Sequence, residues 1–232
     1  MEIIAEIGQN HNGDMELARR LITEAKAAGA GVAKFQVYSA RDLFPKEGNE
    51  WFEYNCKTEL SRADLETLAR ECHDHGIEFM ASVFDVERVG WLEAVGARRY
   101  KIASRSVRDR ALIEAVAATG KPVIVSLGMW NEPSFPKFDA PGGVGYLYCV
   151  SKYPTDLADL NFAAVDFERY LGFSDHTVGV DAAMIALSRG ARVIEKHFTL
   201  DKQMYGPDHS GSMTPSELAA LSRFRDKLRA AL

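Results

Sequence analysis

Eight short apolar runs recur along the chain, and helical periodicity follows all of them but one. The runs are Ile3–Ile7, Val32–Val37, Ile77–Val83, Arg99–Ala103, Val123–Leu127, Val144–Val150, Tyr170–Phe173 and Val193–Phe198. Apolar spacing near 3.6 residues predicts helices over Met15–Ala28, Arg62–His75, Val86–Val95, Asp109–Thr119, Leu160–Arg169, Val180–Ser188 and Pro215–Ala231. Parallel strands need a crossover between them, and a helix is the usual one. Strict alternation through eight units therefore predicts an α/β fold closed as a TIM (β/α)8 barrel. The rival is a doubly wound open sheet, but no glycine-rich dinucleotide fingerprint follows the first strand. The helix after the fifth strand is the exception. Residues 128–143 contain Pro133, Pro136 and Pro141, which forbid a regular helix there, so a proline-rich loop is expected instead.

Local signals agree with this partition. Asp14 stands where an N-cap belongs, Ser61-x-x-Asp64 opens the second helix, and Thr214-Pro215-Ser216-Glu217 is a capping box with proline at the first helical position. Gly29, Gly76, Gly96, Gly120 and Gly190 fall where left-handed helix ends are expected. The long stretch from Tyr38 to Leu60 carries Phe44, Trp51, Phe52 and Tyr54, and reads as a lid anchored by its aromatics. A chain of 232 residues with 47% hydrophobic content suits a single barrel domain over 1–232. Its net charge of −5, spread rather than blocked, gives no reason to expect nucleic acid or an anionic membrane as partner. The first strand starts at Glu2, which leaves no room for a signal peptide, and no apolar run is long enough to span a bilayer. Cys56, Cys72 and Cys149 have neither disulfide nor metal spacing, as expected of a cytoplasmic protein.

In such a barrel, function collects where strands end and feed the following helices. The polar residues there are Glu6; Lys34 and Gln36, two apart and so on one face; Ser82; Lys101 and Ser104; Ser126; and Ser151 and Tyr153. A lysine inside a central strand needs an anionic partner. With several serines nearby, a phosphate or carboxylate substrate is one candidate, and pairing with Glu6 or Glu195 is the other.

The histidines divide. His73 and His75 lie two apart on a helix, so they point to different sides and complement the helix dipole. His11 either bonds backbone within its Asn-His-Asn-Gly turn or is a secondary site candidate. His176 in Ser174-Asp175-His176-Thr177 and His197 in Glu195-Lys196-His197-Phe198-Thr199 follow consecutive strands. If those strands are neighbours, both rings converge, with Asp175 and Glu195 available to orient a ring nitrogen. Two imidazoles favour a first-row divalent metal.

Glu6-Ile7-Gly8-Gln9-Asn10-His11-Asn12-Gly13, Lys34-Phe35-Gln36, Lys101-Ile102-Ala103-Ser104, Ser126-Leu127-Gly128-Met129, Tyr153-Pro154-Thr155, the two histidine motifs and Gly206-Pro207-Asp208-His209 together resemble the strand-end motifs of the sialic acid synthases, in the same order. The resemblance implies condensation of phosphoenolpyruvate with an amino-sugar aldehyde, giving a 2-keto-3-deoxy nonulosonic acid and phosphate. It implies that Lys34, Lys101, Ser104, Ser126, Ser151 and Ser174 hold phosphoenolpyruvate. His176 and His197 would hold a divalent metal, Mn²⁺ by family habit. Gln36, Tyr153 and Asp208 would face the acceptor, and Glu6, Lys101 and Asp208 would serve the chemistry. It also implies a homodimer, for which Trp51, Phe52 and Trp130 are expected as exposed contacts.

Three departures stand out. Ser106, behind Arg105, occupies a position that is usually acidic in that family. The 128–143 segment replaces a helix. Family members normally continue into a small antifreeze-like domain, whereas this sequence ends at Leu232. Two other readings remain open on the residues alone: a metal-dependent sugar-phosphate aldolase or isomerase, and a non-catalytic binding barrel.

Overall fold

The computed structural model describes residues 1–232. Eight parallel strands close into one barrel in sequence order, each hydrogen-bonded to the next and the last to the first. They are β1 (Glu2–Gly8), β2 (Val32–Val37), β3 (Glu78–Val83), β4 (Tyr100–Ile102), β5 (Val123–Ser126), β6 (Val144–Cys149), β7 (Gly172–Asp175) and β8 (Val193–His197). The helices are α1 (Met15–Ala27), α2 (Ala40–Leu43), α3 (Phe52–Lys57), α4 (Arg62–Asp74), α5 (Val86–Ala94), α6 (Arg110–Ala118), α7 (Asp181–Ser188) and α8 (Pro215–Ala231). The caps are as expected. The Asp14 side chain accepts from the Glu16 and Leu17 amides, and Ser61/Asp64 and Thr214/Glu217 form reciprocal capping boxes. All five predicted helix-end glycines have positive φ.

Alternation of side chains along each strand sorts the barrel into an outside and two inner layers. Outward residues such as Ile3, Ala5, Phe35, Phe79, Tyr100, Val125, Phe173 and Ile194 join the large buried core beneath the helices. Inward, Ile4, Val32, Met80, Ile124, Leu147 and Val193 form a separate apolar cluster. Two residues further along the same strands stand Glu6, Lys34, Ser82, Ser126, Cys149 and Glu195, joined by Lys101 of β4. One step of strand period thus separates a hydrophobic plug from a charged floor. Burying each large plug side chain contributes roughly 1.5–3 kcal/mol. The opposite end of the barrel is tied by Arg99, whose guanidinium reaches Glu2 at 2.7 Å and Glu78 at 2.8 Å.

Several expectations need correction. No α-helix covers Leu160–Arg169. Two 3-10 turns, Leu157–Leu160 and Phe162–Ala164, flank Asn161, whose φ of 41° interrupts any helical path. Val165 and Phe167, two apart, are both buried there, a spacing that a helix would not bury on one face. Strand β7 begins two residues later than Tyr170 and runs through Ser174 and Asp175. The Tyr38–Leu60 stretch is not bare loop but carries α2 and α3. Trp51, Phe52 and Trp130 are half-buried rather than exposed. Trp51 packs on Tyr54 and Tyr205, and Trp130 lies under the Arg108 guanidinium. As expected, no α-helix forms between β5 and β6.

Candidate active site

At the C-terminal mouth of the barrel opens a cavity of about 850 Å³, well within the range of small-molecule sites. Glu6, Lys34, Gln36, Lys101, Ser104, Ser126, Ser151, Tyr153, Ser174, His176, His197 and Asp208 all border it. Residues spread over two hundred positions thus meet at one place, because each stands at the end of a strand or on the loop after it.

The floor of the cavity is a closed ion network. Lys34 Nζ lies 2.7 Å from Glu6 Oε2 and 3.5 Å from Glu195 Oε2, and donates to Ser82 Oγ at 2.7 Å. Lys101 Nζ lies 3.6 Å from Glu195 Oε1 and donates to Ser126 Oγ at 2.8 Å. Both lysines are almost fully buried, at 1% and 2% exposure. Burial opposes the charge on Lys34, but Glu195 and Glu6 outweigh it and raise its pKa. For Lys101, burial and the nearby Lys34 charge prevail over Glu195, and its pKa is lowered. Burial would push Glu195 up, yet Lys101 and Lys34 hold it at about 2. Both partners foreseen for the lysines, the protein carboxylates, are therefore realised. The floor still faces an open cavity.

Hydroxyls ring that floor. Ser174 Oγ donates to Glu195 Oε1 at 2.9 Å. Ser104 Oγ accepts from the Gly128 amide at 3.0 Å. A Cβ at Gly128 would stand 2.4 Å from Ser151 Oγ and 2.9 Å from Cys149 Sγ, so only glycine lets the chain pass here. Ser151 Oγ is buried with no hydrogen-bond partner at all. A buried hydroxyl left unpaired costs free energy unless something else meets it, and here the neighbouring space is the cavity.

Because β7 and β8 pair directly, His176 and His197 do converge, with ring centroids 6.1 Å apart. Their orienting partners differ from those expected. Asp175 faces the opposite layer, where it pairs with Lys196 at 3.0 Å, and Glu195 is engaged by the lysines. The His176 Nδ1–H instead meets the Val150 carbonyl at 2.9 Å, which leaves Nε2 free. His197 Nδ1 is buried without a hydrogen-bond partner and lies 3.9 Å from Asp208 Oδ2. Tyr153 covers the pair, its ring centroid 4.1 Å from that of His176. A chamber of about 50 Å³ is bordered by His176, His197 and Asp208, with room for an ion or a water. On the other side Gln36 Nε2 donates to Glu6 Oε1 at 2.9 Å.

One sequence candidate falls away, and so does the position at which the chain departs from the family pattern. His11 is buried in its turn, accepts from the Gly13 amide at 3.2 Å, and does not border the cavity. Ser106 is buried off the cavity, while Arg105 borders it with its guanidinium on the Phe44 ring. Glu195, Ser82, Cys149, Gln9 and Asn55 are cavity residues that were not assigned to the site from sequence. For Glu195 and Ser82 the signal was there, since they share a strand face with His197 and lie on the late part of β3. Asn55 comes from α3, and nothing in its local sequence marks it.

A model of the NeuB family matches residues 21–232. Among curated relatives, N,N'-diacetyllegionaminic acid synthase of Legionella pneumophila is 35% identical over 248 residues, covering 94% of this chain and 69% of its own length. Human N-acetylneuraminate-9-phosphate synthase is 32% identical over 250 residues, covering 95% of this chain and 68% of its own. Among solved structures, the N-acetylneuraminic acid synthetase of Leptospira borgpetersenii superposes with a TM-score of 0.91 at 34% identity, over 99% of this chain and 84% of that one.

Proposed function

The chain belongs to the NeuB family, and from that premise we propose that it joins phosphoenolpyruvate to an amino-sugar aldehyde of the N-acetylmannosamine type, releasing a 2-keto-3-deoxy nonulosonic acid and phosphate. It is an enzyme of the carbon–carbon bond-forming synthases, and phosphoenolpyruvate-dependent condensation is the family's reaction. The observation that carries the finer reading is the one cavity in which Lys34 and Lys101, Ser104, Ser126, Ser151 and Ser174, both histidines, Gln36, Tyr153 and Asp208 meet the Glu6 and Glu195 carboxylates.

On this reading Lys34 and Lys101 meet the phosphate and carboxylate of phosphoenolpyruvate, with Ser104, Ser126, Ser151 and Ser174 supplying hydroxyl donors. The unpaired Ser151 Oγ suits a ligand oxygen. Gln36, Tyr153 and Asp208 hold the acceptor so that its aldehyde carbon faces the enol carbon. The new bond forms between those two carbons, and the aldehyde oxygen takes up a proton. Positive charge left at C2 is quenched by water, whose proton Glu6 accepts. The bond from C2 to the phosphate oxygen then breaks, the new hydroxyl passes its proton to the departing phosphate, and the ketone remains.

The residues present also suit a divalent cation, Mn²⁺ by family habit. His197 Nδ1 is an orphaned buried nitrogen, His176 Nε2 is left free, and the small chamber lies between the two rings and Asp208. No group of three or more His, Cys, Asp or Glu side chains converges to hold a metal. His176 and His197 would therefore be two protein ligands, leaving the rest of the shell to substrate and water. When bound there, a divalent cation polarises the aldehyde carbonyl as a Lewis acid.

A homodimer belongs to the same proposal. Met129, Tyr153, Leu157, Val178 and Tyr205 are exposed large apolar side chains on the loops of the mouth face, in place of Trp51, Phe52 and Trp130, which are half-buried. Light scattering at micromolar protein checks this, and a clean monomer that still turns over substrate would refute it. No helix is long and apolar enough to cross a membrane.

The direct test of the reaction is phosphate release from phosphoenolpyruvate with a panel of aldoses, with and without Mn²⁺. Release that depends on an N-acetylated amino sugar supports the reading. Cleavage of a sugar phosphate without phosphoenolpyruvate would point to an aldolase instead.

A further inference from the structure

Asp208 is the one proposed acceptor-facing carboxylate that no strand carries. It sits on the loop between β8 and α8, and its carboxylate makes no hydrogen bond within the protein, the basic group beside it being His197 at 3.9 Å. Its position therefore depends on what holds that loop. The next residue, His209, has no solvent exposure, and its ring bridges two groups. Nδ1 lies 2.7 Å from Thr199 Oγ1, and Nε2 lies 3.0 Å from Asn12 Oδ1.

That amide oxygen is shared. It also accepts from the Tyr54 hydroxyl at 2.7 Å, nearer than the other acceptor in that hydroxyl's reach, the Gln9 carbonyl at 3.0 Å. An amide oxygen only accepts, so a ring proton belongs on Nε2, and Nδ1, nearer at 2.7 Å than the Asp201 carbonyl at 3.0 Å, takes the single proton of the Thr199 hydroxyl. The ring is then neutral, and burial, which lowers the His209 pKa, agrees with this.

One oxygen thus joins three segments: the turn after β1, the α3 region after β2, and the loop bearing Asp208. The backbone is shaped around the junction. Asn12 has φ 53°, a left-handed conformation that asparagine tolerates better than most residues. Gly206 has φ 151°, and a Cβ there would stand 2.6 Å from the Tyr54 oxygen and 2.8 Å from the His209 ring. A second tie runs parallel. Asn10 Nδ2 donates to Ser212 Oγ at 2.9 Å, and Ser212 Oγ donates to the Asp208 carbonyl at 2.7 Å.

We propose that Asn12, Tyr54 and His209 are positioning residues for Asp208, their shared hydrogen-bond junction setting where its carboxylate stands against His197 and the acceptor. This rests on the reading that Asp208 faces the acceptor. A junction of neutral groups suits the task, because it fixes geometry without adding charge beside the carboxylate. It also makes the segment that forms one wall of the cavity, through Trp51 and Asn55, move as a unit with the Asp208 loop.

The test uses Tyr54→Phe, which deletes one hydroxyl, with His209→Phe and His209→Gln, whose amide can restore a donor near Nε2. At saturating phosphoenolpyruvate, Tyr54→Phe and His209→Phe should each lower kcat/KM for the acceptor at least tenfold. KM for phosphoenolpyruvate should stay within twofold, and His209→Gln should recover part of the loss. In an Asp208→Asn background the Tyr54→Phe change should cost nothing further.

Multiplicative losses in that background would overturn the proposal, as would equal losses toward both substrates. If Asp208→Asn alone leaves acceptor kinetics intact, it is the role assigned to Asp208 that fails. A measurement without turnover keeps the two apart. Amide exchange in Tyr54→Phe should accelerate together in residues 8–14 and 204–212, and acceleration confined to residues 52–58 would overturn the junction.

Discussion

Inside the barrel, two adjacent layers of the same strands behave as different materials. The lower one, with Met80, Ile124 and Leu147, is apolar and solvent-free, and holds the strands together. The upper one sets Lys34 and Lys101 against Glu6 and Glu195, with open space above. A buried ion pair is weak evidence for stability, because desolvation offsets most of the attraction. The two layers thus teach that stability and chemistry are divided along each strand at a single two-residue step. Substitutions in one layer should change what substitutions in the other leave alone.

The largest effect is expected from the upper layer. Lys101→Met should lower kcat/KM by roughly a thousandfold or more, about 4 kcal/mol of transition-state stabilisation. It should also abolish the rise in Tm that phosphoenolpyruvate produces. The Tm of the ligand-free protein should change little, since Glu195 keeps Lys34 at 3.5 Å. A large fall in Tm with activity retained would reverse the assignment of the layers. In the lower layer, Leu147→Ala should cost roughly 2–5 kcal/mol in denaturant unfolding, by lost burial plus the cavity left behind. Its KM for phosphoenolpyruvate should stay near the wild-type value, and a selective loss of substrate binding would show that the plug shapes the site.

A third measurement asks whether acid sensitivity comes from the charged floor or from elsewhere. Burial lowers the His11 pKa from 6.5 to about 4, so the unfolded chain takes up a proton that the folded protein refuses. This contribution is complete above pH 6.5 and is lost as pH falls toward 4, by at most about 3 kcal/mol. Stability measured against pH should therefore slope downward in that window, and His11→Gln should flatten it. The floor contributes at lower pH. Glu195, held at about 2, contributes stability above the ordinary carboxylate range that disappears as pH falls through 2. An unchanged slope in His11→Gln would assign the window to another group.

The smallest effect should come from the rim. Ser151→Ala removes a buried hydroxyl with no protein partner. It should leave stability unchanged or slightly raised and weaken phosphoenolpyruvate binding about tenfold, roughly 1.4 kcal/mol. A loss of stability without a change in affinity would mean that the hydroxyl serves the fold.

The order of the strands and most helix ends were legible in the sequence, and so was the gathering of the proposed substrate and metal residues at one mouth of the barrel. Strand period, caps and the rule that function gathers at strand ends are local or nearly so. Where reading failed, the deciding contact was distant. Leu160–Arg169 has enough apolar residues for a helix, yet Phe162 packs on Tyr148 of β6 and Phe173 of β7, with Phe167 against Phe162, in an aromatic cluster instead. Of the two readings open for His11, the structure takes bonding within its own turn, with the ring beside Phe35.

By itself the sequence determined that this chain closes a parallel barrel and which side chains stand at its mouth, because a period of two and a period of 3.6 are properties of the backbone. Only the tertiary structure decided who partners whom. Glu195 attends the lysines rather than a histidine ring, Asp175 turns to Lys196, and Val150 orients His176. Such pairings depend on register between neighbouring strands and on which layer each side chain enters. They link residues that the chain itself keeps far apart, and they exist only once the barrel has closed.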